Sequence, residues 1–328
     1  MTTNRRAAQA LAFAAAVASA APVAAEEGPL NVLATVAMIS DVAQSVAGDC
    51  ARVATLMGPG IDPHYYSATP RDVEAIAAAD LIFYVDRTLE ERLADVLDRF
   101  RDRTPTVGLA RTAFDPADLL ADPDEPGAMD PHLWMDVSLW ARIAPAIAEA
   151  IAAQRPACAD AMAENVETLT TELDALHAWV GAAIASIPEG GRVLVTAHDA
   201  FEYFSRAYGI EASEAIEGIS TASEASIGDI RAVAAFVIER GVPAVFVETT
   251  VNPRTIEALA AEARSRGHDL RIGGELFSDA MGDTGTAEGT YIGMIRANTV
   301  TITEALGGAV PAWPDALGSW AQAWGVDP

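Results

Sequence analysis

Residues 158–186 read CADAMAENVETLTTELDALHAWVGAAIAS and predict one long helix in the middle of the chain. Its apolar residues recur at helical spacing and form a single stripe: Leu169, Leu173, Leu176 and Val180. Pro156 precedes the segment, and the turn-forming run Pro188-Glu-Gly-Gly follows it. The helix therefore separates the sequence into two halves.

On both sides of this helix, short apolar runs typical of strands alternate with helical patterns. In the first half we predict strands at 31–36, 52–57, 81–85 and 106–109, and helices at 39–47, 70–79, 89–102 and 137–153. In the second half we predict strands at 192–196, 244–248 and 270–274, and helices at 201–208, 227–240, 253–266 and 290–306. This alternation predicts an α/β fold with two lobes, each a mainly parallel sheet covered by helices.

Four potential metal ligands follow strand-like runs in these halves. The chain has five histidines, and three of them, His64, His132 and His198, occupy such positions, while a fourth run ends just before Asp279. Open α/β sheets bind ligands outside the carboxyl ends of their strands, so two facing edges predict a cleft between the lobes. Imidazole and carboxylate are natural ligands of zinc, and one metal ion per chain is expected there.

Several of these residues have an alternative interpretation. A single histidine near a strand end is usually an ordinary polar loop residue, so the prediction depends on the joint placement of the three. Asp283, four residues further along, is the alternative to Asp279. We expect His177, in the long helix, to be a surface or interlobe residue, and His268, in a turn, to be solvated.

Two residues near the histidines are expected to have other roles. Glu202 lies four residues after His198, and we interpret it as an ordinary helix carboxylate, with a general base as the alternative. Trp134 follows His132 closely, and we expect it to pack around the site and keep it dry.

Charge and composition exclude several classes of partner. The formal net charge is −26, and every basic residue is an arginine. A chain this acidic is a poor candidate for binding nucleic acid or an anionic membrane. Residues 1–25 resemble a secretory signal, with Arg5 and Arg6, a short apolar run and cleavage near Ala25. No later stretch is apolar enough to cross a membrane, and no cysteine follows the cleavage site as a lipid anchor.

The two cysteines, Cys50 and Cys158, predict a disulfide if the chain is exported. Cys50 precedes the strand whose far end carries His64, and Cys158 begins the long helix. Both are therefore expected at the end of the first lobe away from the metal, and two free, buried thiols are the alternative. After the last predicted helix, Trp313, Trp320 and Trp324 predict a C-terminal segment packed on the body through its indoles.

Five motifs give the chain a specific resemblance. They are Met57-Gly-Pro-Gly-Ile-Asp-Pro-His64, Asp130-Pro-His-Leu-Trp-Met-Asp136, Val193-Leu-Val-Thr-Ala-His-Asp-Ala-Phe201, Ile219-Ser-Thr-Ala-Ser-Glu-Ala-Ser226 and Gly274-Glu-Leu-Phe-Ser-Asp-Ala-Met-Gly282. Together they resemble the TroA/ZnuA-type metal-binding receptors of bacterial zinc and manganese ABC importers, the cluster A-I solute-binding proteins. The resemblance implies two α/β lobes joined by one rigid helix, with the metal in the cleft between them.

The same resemblance assigns metal ligation to His64, His132, His198 and Asp279, and a supporting role to Glu224. It implies a periplasmic solute-binding protein, not an enzyme, that hands Zn²⁺ to the permease of its ABC importer in the inner membrane, with Mn²⁺ as the alternative metal. Zinc is favoured because manganese-selective relatives tend to have a glutamate at the position of His198. The long histidine-rich loop of many zinc receptors is missing here.

The alternative function is a secreted zinc-dependent hydrolase with an open metal site and Glu202 as base. It lacks the His-Glu-x-x-His arrangement and leaves Asp279 without a role. We expect a monomer without direct membrane insertion, organised as a signal peptide (1–25), an N-terminal lobe (26–157), a linking helix (158–187), a C-terminal lobe (188–306) and a tryptophan-containing tail (307–328).

Overall fold

Two α/β lobes face each other across a cleft, and one long helix connects them. The computed structural model describes residues 28–86, 88–123, 126–221 and 225–326. The predicted signal segment and Glu224 therefore lie outside the described residues. Among the described residues, no helix combines the length and the apolar character needed to span a membrane.

The first lobe is built on a four-stranded parallel sheet. Its strands are β1 (Leu30–Ala34), β2 (Ala51–Thr55), β3 (Leu81–Tyr84) and β4 (Thr106–Gly108), in the spatial order β2-β1-β3-β4. Its helices are α1 (Ala37–Ala47), α2 (Pro70–Ala78), α3 (Glu91–Phe100), α4 (Leu109–Ala113), α5 (Val137–Trp140) and α6 (Ile143–Ala152). The all-parallel pairing confirms the predicted βα alternation of this half.

The single helix predicted at 137–153 is in fact two helices, α5 and α6. Pro145 explains the break, because its ring excludes the helical position of the carbonyl four residues earlier, at Ala141. The sequence prediction was wrong here because the recurring apolar residues of 137–153 fit one continuous helix and conceal this break.

The linking helix is α7 (Ala159–Ala185), as predicted. Leu169, Leu173, Leu176 and Val180 are all buried along one stripe. One continuous apolar core runs from the first lobe past this stripe to residues of the second lobe such as Phe246. Cys50 and Cys158 form a disulfide at the start of the helix, with their Cα atoms 6.2 Å apart, which confirms the predicted pairing.

The second lobe contains four parallel-paired strands, but they form two separate pairs instead of the one sheet predicted. β5 (Val193–Thr196) pairs with β6 (Ala212–Ala215), and β7 (Ala244–Glu248) pairs with β8 (Arg271–Leu276). Between the pairs, the backbone amides of Ala197 and His198 donate to the side chain of Glu248 at 2.8 and 3.0 Å. A carboxylate thus takes hydrogen bonds that a backbone carbonyl accepts in a continuous sheet.

Helices cover these strands and continue into the C-terminal segment. They are α8 (Glu202–Tyr208), α9 (Ile227–Arg240), α10 (Arg254–Ser265), α11 (Tyr291–Ala305) and α12 (Gly318–Trp324). Trp313 and Trp320 are buried, as the sequence predicted for a packed tail, while Trp324 at the end of α12 is 36 % exposed.

Candidate metal centre between the lobes

Three histidines and one aspartate meet in the cleft. One potential ligand atom from each of His64, His132, His198 and Asp279 lies within 4.8 Å of the others. Nε2 of His198 is 3.2 Å and Nε2 of His132 is 3.3 Å from the Asp279 carboxylate. Nε2 of His64 is 3.4 Å from that of His132. The structure therefore brings together all four residues predicted as ligands.

Local sequence explains how two of the histidines are held. In both Asp-Pro-His motifs the aspartate side chain accepts the histidine backbone N–H two residues later, Asp62 from His64 and Asp130 from His132, each at 2.9 Å. His198 follows strand β5 directly, and Asp279 follows β8. His132, by contrast, follows a loop instead of a strand, because the preceding segment is rich in Asp, Pro and Gly.

Two further carboxylates contact the ring nitrogens that point away from the cluster. Nδ1 of His132 lies 2.7 Å from Asp130 Oδ1, and Nδ1 of His198 lies 2.5 Å from Glu248 Oε2. Such contacts fix the ring orientation and leave Nε2 facing the cluster. The sequence analysis did not assign Glu248 this role. The one feature that indicates this role is the position of Glu248 as an acidic residue at the end of a buried apolar strand.

The cluster is closed to solvent. All four side chains are at most 1 % exposed, and Trp134, fully buried, has its ring centre 5.3 Å from that of His132. Trp134 therefore packs against the site and helps to exclude water from it, as predicted. Among the described residues, Nε2 of His198 and both carboxylate oxygens of Asp279 are buried without a well-formed hydrogen bond. Converging, unsatisfied donor atoms in a dry site are the arrangement that a metal ion satisfies.

The charges of the cluster are strongly coupled. Burial lowers the pKa of His64 to about 3 against the attraction of Asp279. Burial opposes protonation of His132 as well, but Asp130 and Asp279 raise its pKa to about 9. In the same way Glu248 and Asp279 raise the pKa of His198 well above its usual value, against burial. The nearby carboxylates thus favour protonation of His132 and His198, whereas burial favours the neutral form of His64.

A hydrogen bond joins the lobes beside His64. The hydroxyl of Thr221, in the second lobe, donates to Asp62 Oδ2 at 2.7 Å. Asp62 therefore holds the His64 backbone with one oxygen and the opposite lobe with the other.

Other residues considered from the sequence lie outside the cluster. Asp283 is exposed, so Asp279 is the carboxylate that faces the histidines. Glu202 is half-buried, as an ordinary helix carboxylate is. His177 contacts the Tyr208 hydroxyl, an interlobe position as predicted. The prediction of a solvated His268 was wrong, because its ring bonds to the carbonyl of Val242 and is partly buried.

The fold and the buried cluster together define the class of two-lobed metal receptors that serve ABC importers. The family model described as ZnuA, "Zinc-uptake complex component A periplasmic", matches residues 32–305. The chain belongs to this family.

Relatives of this family cover nearly all of the matched region. The chain is 42 % identical over 283 residues to the zinc-binding protein TroA of Treponema pallidum. The aligned region covers 86 % of this chain and 91 % of the relative. The chain is 39 % identical over 277 residues to the manganese-binding lipoprotein MntA of Bacillus subtilis, which spans 84 % and 90 %. The solved structure of the periplasmic zinc-binding protein TroA from T. pallidum superposes with a TM-score of 0.82, covering 85 % of this chain and 99 % of that one.

Proposed function

We propose that this protein is an exported, periplasmic receptor that captures one divalent transition metal ion and delivers it to the permease of an ABC importer. Membership of the ZnuA family supports the receptor role. The convergence of three imidazoles and one carboxylate in a dry cleft supports the metal. The proposal includes a cleaved signal segment ending near Ala25 and a monomeric mature protein.

The proposed ligands are Nε2 of His64, His132 and His198 together with the Asp279 carboxylate. The observation that carries this assignment is that one ligand atom from each of these four buried side chains lies within 4.8 Å of the others. Asp130 and Glu248 are proposed to orient two of the rings from behind. The domain limits expected from the sequence remain part of the proposal.

Zinc is the metal we favour. Three neutral imidazoles suit Zn²⁺ better than Mn²⁺, which prefers oxygen ligands. The similar proteins include one named for zinc and one named for manganese, so Mn²⁺ is the competing cargo.

Reversible binding fits this site better than hydrolysis does. Four protein ligands leave no position for an activated water, which a catalytic zinc site keeps open. The hydrolase alternative also needs a base beside the metal. Glu202, its one candidate from the sequence, lies outside the cluster.

Substitution of the proposed ligands tests this function. His64→Ala, His132→Ala, His198→Ala and Asp279→Ala are each expected to weaken Zn²⁺ binding at least about tenfold, because each removes one of four donors. Zn²⁺ affinity is measured by competition with a chromogenic chelator, and Mn²⁺ is then competed against bound Zn²⁺.

Asp283→Ala is the matched control, since Asp283 lies in the same loop as Asp279 but is exposed. It is expected to bind metal like the wild type. Unchanged affinity in all four ligand variants would place the metal elsewhere, and ester or peptide hydrolysis by the zinc-loaded protein would favour the hydrolase.

A further inference from the structure

The C-terminal extension, residues 306–326, lies beyond the residues that the family model matches. It leaves the end of α11, crosses the linking helix α7 and ends in α12. Its side chains Trp313, Leu317 and Trp320 are buried. The contacts of this segment indicate what it adds to the molecule.

On one side the extension is attached to α7. The indole N–H of Trp179 donates to the Pro311 carbonyl at 3.1 Å, and the Trp179 and Trp313 rings pack edge to face with centres 4.8 Å apart. Further along the helix, Ser186 Oγ bonds to both the backbone N–H and the carbonyl of Ala309. The extension is thus fixed along the last two turns of the linking helix.

On the other side the extension is attached to α11. The Arg296 guanidinium lies 5.5 Å from the centre of the Trp313 ring. The indole N–H of Trp320 donates to Thr290 Oγ1 at 3.1 Å. Thr290 is the N-cap of α11 and accepts the N–H of Gly293 with the same oxygen.

Thr290 also ends the segment that carries Asp279. Its hydroxyl donates to the Ala287 carbonyl at 2.7 Å, and the neighbouring Glu288 carbonyl accepts the N–H of Gly282 at 2.8 Å. The first turn of α11 packs so closely on this segment that a Cβ on Gly293 would lie 1.8 Å from the Ala287 carbonyl oxygen. The N-cap and the segment are therefore packed together, and Asp279 lies only three residues before Gly282.

We propose that Trp320 is a positioning residue for Asp279, which it holds in place through Thr290 while the rest of the extension anchors it to α7. This proposal rests on the proposed function, because it assigns Asp279 to the metal. The extension fixes the one anionic ligand of the site relative to the linking helix. Its loss loosens that ligand and speeds metal release.

The test compares Trp320→Phe with Trp324→Phe. Phenylalanine keeps an aromatic ring at position 320 but removes the indole N–H and part of the buried ring system, whereas Trp324 is an exposed residue of the same helix. Hydrogen exchange of the backbone in residues 280–293 is measured on the metal-free proteins, and Zn²⁺ release to an excess of chelator is measured on the loaded ones. A third variant ends the chain at Gly308.

In Trp320→Phe we expect exchange in residues 280–293 and Zn²⁺ release to be faster by about three- to tenfold, the usual effect of one lost hydrogen bond. The truncated protein is expected to show a larger effect, and Trp324→Phe none. Strands β1 to β4 serve as the internal reference and should exchange as in the wild type.

Unchanged exchange in 280–293 in both Trp320→Phe and the truncated protein would overturn the proposal. Faster exchange there without faster Zn²⁺ release would also overturn it, because the extension would then support the fold but not the ligand. Equal acceleration in the reference strands indicates general destabilisation and counts against it as well. If the wild-type protein binds no metal, the proposed function fails, and this proposal falls with it.

Discussion

At the scale of single residues, Asp130 and Glu248 have the same relation to the cluster. Each places a carboxylate oxygen against Nδ1 of a histidine whose Nε2 faces the other donors. Glu248 has a second task, because its other oxygen accepts the amides of Ala197 and His198. A side chain that fixes both the backbone and the ring of His198 is well suited to set the geometry of a metal site.

Glu248→Gln should therefore weaken Zn²⁺ binding by about 10- to 100-fold. Glutamine can keep the two backbone hydrogen bonds, but its amide is neutral and no longer strengthens the His198 ring as a ligand. Chelator competition measures the affinity. Glu202→Gln, a neutralised carboxylate of the same lobe outside the cluster, should bind normally, and equal affinity of the two variants would contradict the role of Glu248.

The pH dependence of metal binding follows from the raised pKa values of His132 and His198. In the metal-free protein these rings hold protons up to about pH 9 for His132, and the metal must displace them. Because the pKa values of these two histidines lie above the usual 6.5, protons compete with the metal for the rings over a wider pH range. Lowering the pH adds protons to the rings and favours the metal-free form. Zn²⁺ affinity should rise with pH from about 5 to about 9. Competition titrations at several pH values test this, and a plateau reached already at pH 7 would be inconsistent with it.

The sequence was sufficient to predict which four side chains meet, but not what supports them. Three histidines and Asp279 stand in recognisable motifs, so their types and positions carry the signal. The role of Glu248 depends on the separation of β5 from β7, which is a tertiary feature. Glu248 looks like the end of any strand when only its neighbours along the chain are known.

At the scale of elements, the strands built from apolar runs were predicted, and β6, which has no such run, was missed. Val193–Thr196 and Ala244–Glu248 fit that pattern. Strand β6 has the sequence Ala-Ser-Glu-Ala, which has no strand propensity, and it forms only because β5 lies beside it. The division of 137–153 into α5 and α6 has a local cause in the sequence, which is Pro145.

The disulfide ties two elements at the end of the first lobe, just before α7 begins. Its sulfurs are 108 residues apart in sequence, so the bond constrains the unfolded chain strongly. The double substitution of Cys50 and Cys158 by serine should lower the free energy of unfolding by about 2–4 kcal/mol. Urea unfolding followed by tryptophan fluorescence measures the change.

A reducing agent provides the control for this prediction. It should destabilise the wild type to the level of the double serine variant and leave that variant unaffected. Equal stability of the wild type and the variant under oxidising conditions would show that the bond contributes nothing.

At the scale of the whole molecule, the two lobes are joined by more than the metal. The continuous core around α7 packs residues of both lobes, and the indole of Trp134 donates to the Ser278 carbonyl beside Asp279. The Tyr291 backbone N–H also bonds to Asp41 of α1. Wide opening about the helix would break these contacts together with α7 itself.

Loss of the metal should therefore change the overall shape only slightly. We expect metal-free and Zn²⁺-loaded proteins to differ by a small lobe tilt and by local shifts around His132, His198 and Asp279. Small-angle scattering of both forms, with a chelator-treated sample as the metal-free state, measures the difference. A lobe rotation of tens of degrees would show that α7 does not act as a rigid strut.

The burial of all four donor side chains also has a consequence over time. A metal ion held among buried side chains exchanges at the rate at which the protein opens, not at the rate of diffusion. Occupancy then follows the metal supply averaged over that opening time, and brief surges or gaps outside the cell are smoothed. The receptor therefore responds to slow changes in metal supply and not to brief ones.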